Sequence, residues 1–186
     1  MSKNEARLPR LKVIIIGVEN SGKTTLVRNL SPDAKSVEHS DGQGNSITVG
    51  LDIGVIPLAG CSLHFFGTPG HERFAFVRKI VSHGAHIGIL MIDSVDVTQG
   101  GVGEREREYE QELISRNIPY IICANKRDIP NVLPLSEIES HFSASVYPIS
   151  AVTGQGVDEM RDVLVDIIES GKGEWFSNSA KKLKMA

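Results

Sequence analysis

Eight residues constrain the fold of this chain more than any others: Gly17-Val18-Glu19-Asn20-Ser21-Gly22-Lys23-Thr24, which fit the pattern G-x-x-x-x-G-K-[ST]. The pattern follows an apolar run over 11–16, β-branched from Val13 on, and opens a helical pattern over 22–30. Glycines let the backbone turn tightly, so that successive N–H groups face phosphate oxygens. The helix N-terminus adds a favourable dipole. A strand, a glycine-rich turn and a helix in that order imply an α/β fold of the P-loop NTPase class. The rest of the chain alternates accordingly. Runs over 51–58 and 62–66 read as an antiparallel hairpin turning at Ala59-Gly60, and runs over 86–92, 118–123 and 146–149 read as further buried strands. Helices are predicted over 72–83, 104–117, 135–142 and 157–170, on both faces of a mainly parallel sheet. Residues 31–46, with Pro, Asp, Ser, Gly and Asn and few large apolar side chains, are expected to form a mobile surface loop. The organisation expected is an N-terminal extension over 1–10, a nucleotide-binding domain over 11–170 and a tail over 171–186.

The phosphate-binding candidates are Glu19, Asn20, Ser21, Gly22, Lys23, Thr24 and Thr25. Lys23 is expected to reach the β- and γ-phosphates, and the Thr24 hydroxyl to bind Mg²⁺. A phosphate loop alone leaves the base open. Asn125-Lys126-Arg127-Asp128, after the buried run 118–123, narrows it. A carboxylate accepts two hydrogen bonds side by side. Guanine offers that pair from N1–H and its 2-amino group, whereas adenine has an acceptor at N1 and no 2-amino group. Asp128 is therefore the candidate specificity residue, Asn125 a contact to the base edge that also ties loops together, and the Lys126 stem a surface along the base plane. Ser150-Ala151, after the run 146–149, are positioned to give a backbone N–H to guanine O6.

Other functions are disfavoured by composition. A net charge of −3 argues against a general nucleic-acid binder, and no apolar run approaches the roughly 20 residues of a membrane helix. Ser2 excludes the myristoylation motif, and the C-terminal Lys-Lys-Leu-Lys-Met-Ala has no prenylation Cys. Trp175-Phe176 and Lys181, Lys182 and Lys184 are a weak membrane or partner signal, read as a solvated tail. Cys61 and Cys123 form no CxxC and are read as reduced thiols of a cytoplasmic protein.

In order along the chain, GVENSGKT, ITVG, GTPGHERF, NKRD and ISA resemble the five signature segments of Ras-like small GTPases, over roughly residues 11–170. Glu19, Thr24-Thr25 and Thr48-Val49-Gly50 look closest to the ADP-ribosylation-factor-like branch, and GTPGHERF is similar to the segment of prokaryotic small GTPases. The resemblance implies a six-stranded sheet, two switch segments, GTP and GDP as ligands with Mg²⁺, and control by an activating protein, an exchange factor or an effector. It implies that Thr48 binds Mg²⁺ and senses the γ-phosphate, with Ser46 a weaker candidate, and that the Gly70 N–H meets the γ-phosphate.

The chain departs from the family at two places. The usual Asp-x-x-Gly is here Gly67-Thr68-Pro69-Gly70, so the carboxylate normally near Mg²⁺ is missing; the nearest substitutes, acting through water, are Thr68 and Asp93. His71 stands where the family places a Gln that orients the attacking water, and is the candidate catalytic residue. An imidazole holds a water as donor or acceptor, with a pH sensitivity that Gln lacks. No arginine is clearly supplied in cis, although Arg73 and Arg78 are close in sequence. Glu19 either crowds an incoming γ-phosphate or points to solvent. The reading is a slow Mg²⁺-dependent GTPase used as a switch. The alternatives are a GTP-holding scaffold with negligible hydrolysis, motivated by Gly67, and a P-loop kinase or ATPase, opposed by Asn125–Asp128.

Overall fold

The computed structural model describes residues 8–40, 46–95 and 102–183; the side chains of 37–40, 46–49, 172–174 and 176–183 also lie outside the described residues. The central strand β1 (Arg10–Gly17) buries residues 13–16 on both faces, because successive side chains of a strand point to opposite sides. Val13 and Ile15 enter one core with Leu26 and Val27 of α1 (Lys23–Leu30) and Met160 and Leu164 of α5 (Val157–Leu183). Ile14 and Ile16 enter the other with Tyr109 and Leu113 of α3 (Glu104–Ser115) and Ile138 of α4 (Leu135–Glu139).

The sheet runs β2-β3-β4-β1-β5-β6-β7, where β2 is Lys35–Ser40, β3 Ser46–Leu58, β4 Cys61–Gly67, β5 Ile87–Asp93, β6 Tyr120–Asn125 and β7 Val146–Pro148. Pairing from β4 through β7 is parallel; β2 to β3 and β3 to β4 are antiparallel. The carboxyl ends of β1, β5 and β6 therefore open onto one edge, where ligands of open α/β sheets bind. A 3₁₀ turn over Glu72–Phe74 and helix α2 (Ala75–Ser82) follow β4.

Among the described residues the sheet has seven strands where six are expected. Residues 35–40, read as part of a loop, form an edge strand held by backbone pairing to β3, which needs no apolar face. The strand expected over 51–58 begins at Ser46 and contains Thr48. The last helix, expected to end at 170, continues to Leu183 through residues taken as tail. Gly171 permits this locally: a Cβ there would stand 2.6 Å from the Trp175 ring, which folds back against the first core. Among the described residues no helix is long and apolar enough to cross a membrane. Cys61 and Cys123 are both buried and not in a disulfide; burial pushes the Cys123 thiol up to about 12.

The Trp175 and His86 rings pack nearly perpendicular to one another, at 5.7 Å between centroids, while His86 Nδ1 accepts the Lys12 N–H at 3.0 Å. Burial, then the nearby Lys12, holds this imidazole below its ordinary value of 6.5. The unfolded chain thus binds more protons below about pH 6.5, and stability falls as pH drops through that value until the folded imidazole itself titrates. Protonation also ends Nδ1 as an acceptor. Between pH 7.5 and 5.5, urea unfolding is expected to show a larger acid loss in the wild type than in His86→Phe. Equal acid losses in the two proteins would remove His86 from the effect.

Candidate functional site

The phosphate loop is built on backbone geometry that its residues permit. Gly22 has φ +96°, and a Cβ there would come within 2.1 Å of Asn125 Nδ2, so only glycine fits. No side chain caps the first turn of α1. Ser21 is fully buried, Asn20 (φ +61°) and Glu19 are exposed, and Thr24 and Thr25 are half-buried. Glu19 thus lies toward solvent at the rim of the cleft.

Lys23 is buried, and its ammonium donates to the carbonyls of Val18 at 2.6 Å and Gly17 at 3.0 Å. Burial lowers its pKa to about 8, against the opposing pull of Asp52 and Glu19. The ammonium stands beside a cleft of about 400 Å³ lined by Glu19, Lys23, Thr24, Gly70 and His71 among others. Gly70 closes one wall. A Cβ there would stand 2.5 Å from the Glu19 nitrogen, so the close approach of the segment after β4 to the phosphate loop requires glycine. His71 is exposed; its Nδ1 accepts the Arg73 N–H at 3.3 Å and caps the 3₁₀ turn. With Nδ1 used as an acceptor, Nε2 carries the proton, so the free edge of the ring is a donor and not a base.

The base-side segments meet the phosphate loop through Asn125. Its Nδ2 donates to the Ser21 carbonyl and its Oδ1 accepts the Ala151 N–H, both at 2.8 Å. Lys126 (φ +68°) pairs with Asp93, and the Arg127 N–H donates to the Ile149 carbonyl at 3.1 Å, which fixes the loop and leaves Asp128 exposed. The N–H of Ser150 donates to the Gln155 carbonyl at 2.9 Å, so the N–H groups of both Ser150 and Ala151 are engaged within the protein. A contact from either to guanine O6 requires one of these bonds to exchange.

The substitutes expected for the missing carboxylate are committed elsewhere. Thr68 donates from both its N–H and its hydroxyl to the Ile15 carbonyl, at 2.9 and 3.0 Å, and Asp93 pairs with Lys126. Arg78 is buried, stacked 4.4 Å over the Tyr109 ring and 3.4 Å from Glu112, which makes it structural. Arg73 covers the Phe74 ring. The side chain of Thr48 lies outside the described residues.

Sequence reading missed Asp52. This buried carboxylate on β3 accepts the Thr24 hydroxyl on Oδ2 and the Ser36 hydroxyl at 2.6 Å on Oδ1. The available signal was a lone charged residue in the apolar run Leu51-Asp52-Ile53-Gly54-Val55-Ile56, but only the strand register brings it to Thr24. Oxygen donors such as the Thr24 hydroxyl suit Mg²⁺, which keeps several waters and binds phosphate oxygens rather than a protein cage. Among the described residues no three His, Cys, Asp or Glu side chains gather into a metal cluster.

The profile of the ADP-ribosylation factor family matches residues 1–168. An uncharacterized protein of Methanocaldococcus jannaschii is 32% identical over 151 residues, 81% of this chain and 92% of that protein. Human ADP-ribosylation factor-like protein 4C is 27% identical over 183 residues, 90% of this chain and 92% of its own length. Among solved structures, the G domain of the T. maritima FeoB iron transporter aligns with a TM-score of 0.63 at 23% identity, over 85% of this chain and 98% of that one. Aquifex aeolicus Era aligns with a TM-score of 0.62 at 24% identity, over 86% of this chain and 57% of that one. Both structures share the fold.

Proposed function

The chain belongs to the ADP-ribosylation factor family of small GTPases, and from that premise we propose that it is a guanine-nucleotide switch that hydrolyses GTP slowly with Mg²⁺. The observation that carries the reading is Asn125, whose two hydrogen bonds tie its own loop to the phosphate loop and to the Ala151 loop, with Asp128 exposed three residues on. Phosphates are received by the N–H groups at the start of α1 and by Lys23. Guanine is selected by Asp128. Thr24 and Thr48 would hold Mg²⁺, which when bound offsets charge on the β- and γ-oxygens.

His71 and Gly70 line the cleft together with Lys23 and Thr24, and on this reading they face the γ-phosphate. The His71 Nε2–H is a donor for the attacking water or a γ-oxygen, and no base is required, since positioning and charge stabilisation carry phosphoryl transfer. Loss of the γ-phosphate would release Gly70 from the phosphate loop and with it α2, whose exposed Phe76 and Ile80 offer an activator, exchange factor or effector a surface that changes with the nucleotide. The site works in the cytoplasm on this reading.

Single-turnover GTP hydrolysis with Mg²⁺ and after its chelation is the test. Mg²⁺-dependent turnover supports the switch; GTP bound tightly without measurable turnover favours a scaffold. His71→Ala is expected to slow turnover about ten- to a hundredfold with GTP affinity nearly unchanged, because a contact made in the transition state is lost. A wild-type rate in His71→Ala would leave the histidine as a cap of the 3₁₀ turn only.

A further inference from the structure

Gly67 ends β4 in the position where the family carries its carboxylate, and Asp52 is its direct partner across the β3–β4 ladder. A Cβ built on Gly67 would stand 3.2 Å from Asp52 Cβ, 3.3 Å from Asp52 Oδ2 and 3.4 Å from the Val27 side chain. The Asp52 side chain therefore fills the space that a side chain at 67 would enter. It is 3% exposed and holds two hydroxyl protons, those of Thr24 and Ser36. A carboxylate has about four acceptor positions, so two partners leave it under-satisfied in a buried setting. Its charge also acts on Lys23, holding the ammonium up against burial.

We infer that Asp52 has taken over the role of the carboxylate missing at Gly67: it is the positioning residue of the Mg²⁺ site, supplied from β3 instead of from the end of β4. The inference rests on the Mg²⁺–guanine-nucleotide reading above. The Thr24 hydroxyl has one proton and two lone pairs; with the proton given to Asp52, the lone pairs are what it offers a metal. Asp52 further brings a negative charge to the metal side of the cleft, where the remaining acceptor positions suit a metal-bound water. Groups of this kind, one step behind the ligand, typically set metal affinity by 10- to 100-fold. The cross-strand position explains why the exchange is possible: residues opposite one another in a ladder share one face of the sheet, so the carboxylate changes strand without leaving the site.

The test follows release of a fluorescent GDP analogue from the full chain as free Mg²⁺ is varied. In the wild type, Mg²⁺ is expected to slow release; release indifferent to Mg²⁺ would overturn the underlying reading and the inference together. Asp52→Asn keeps the volume and is expected to raise the Mg²⁺ concentration for half-maximal slowing by about 10- to 100-fold. A wild-type Mg²⁺ requirement in Asp52→Asn, beside a Mg²⁺-dependent wild type, overturns the inference alone and makes Asp52 a brace between β2, β3 and α1. If Asp52→Asn does not fold, the decision passes to Asp52→Ala/Gly67→Asp, which returns one carboxylate to the ladder from the other strand. A Mg²⁺ requirement within about threefold of wild type in that double variant supports the inference; one raised tenfold or more overturns it.

Discussion

Asp128→Asn is expected to lose GTP and GDP affinity by about 3–5.5 kcal/mol, roughly a hundred- to ten-thousandfold, and to gain xanthine nucleotides. On the proposed reading the carboxylate would accept from N1–H and the 2-amino group together. An asparagine still accepts from N1–H, but its amide N–H then confronts the 2-amino group, donor against donor. Xanthine carries an oxygen at that position, which turns the clash into a hydrogen bond. Asp128 is exposed and makes no contact that braces the loop; Asn125, Lys126 and Arg127 do that work. The substitution should therefore leave the melting temperature of the nucleotide-free protein unchanged and move base preference alone. Competition between labelled GTP and unlabelled GTP, ATP and XTP measures it. A wild-type protein that binds ATP as tightly as GTP, or an Asp128→Asn protein that keeps its preference for guanine, would overturn the assignment.

What the sequence revealed and what it hid have a common physical cause. The phosphate loop and Asn125–Asp128 are contiguous, and their chemistry is local: glycines that allow a tight turn, and side chains presented within one turn of a strand end. Such features survive in a linear reading. Asp52 is invisible there, because its role depends on lying opposite Gly67 and above Thr24, positions 15 and 28 residues away that only the β3–β4 register and the packing of α1 bring together. For the same reason the missing carboxylate sent attention to Thr68 and Asp93, neighbours in sequence or at a strand end, both of which are engaged elsewhere. The edge strand β2 was hidden because an edge strand is held by backbone hydrogen bonds, and polar side chains do not prevent them. The engaged N–H groups of Ser150 and Ala151 show a further limit: sequence nominates a segment for a contact, but not which of its donors are already taken.

Lys23 offers the other large effect, and the one in which stability and function separate. Lys23→Ala and Lys23→Met are expected to weaken GTP binding by about 2–5 kcal/mol, roughly thirtyfold to several thousandfold, since a desolvated charge partner of the phosphates is removed. The nucleotide-free protein should behave in the opposite way. Burial lowers the Lys23 pKa from 10.5 to about 8 although Asp52 and Glu19 pull it upward. Between about pH 8 and 10.5 the unfolded chain then binds more protons at this site than the folded one, so stability rises with pH across that window. Below about pH 8 the folded protein carries the full cost of a buried ammonium, about 3 kcal/mol if the shift is converted directly. Lys23→Met keeps most of the volume and removes that cost, so at pH 7 its nucleotide-free form should be at least as stable as the wild type and should lose the rise above pH 8. This is the trade expected where a side chain is kept for binding and not for folding. Chemical denaturation at pH 7 and pH 9.5, paired with fluorescent-nucleotide titration at pH 7, reads both halves. Unchanged nucleotide affinity in Lys23→Met would remove the lysine from phosphate binding. Retained affinity with a large loss of stability would make its bonds to the Gly17 and Val18 carbonyls a structural brace of the loop.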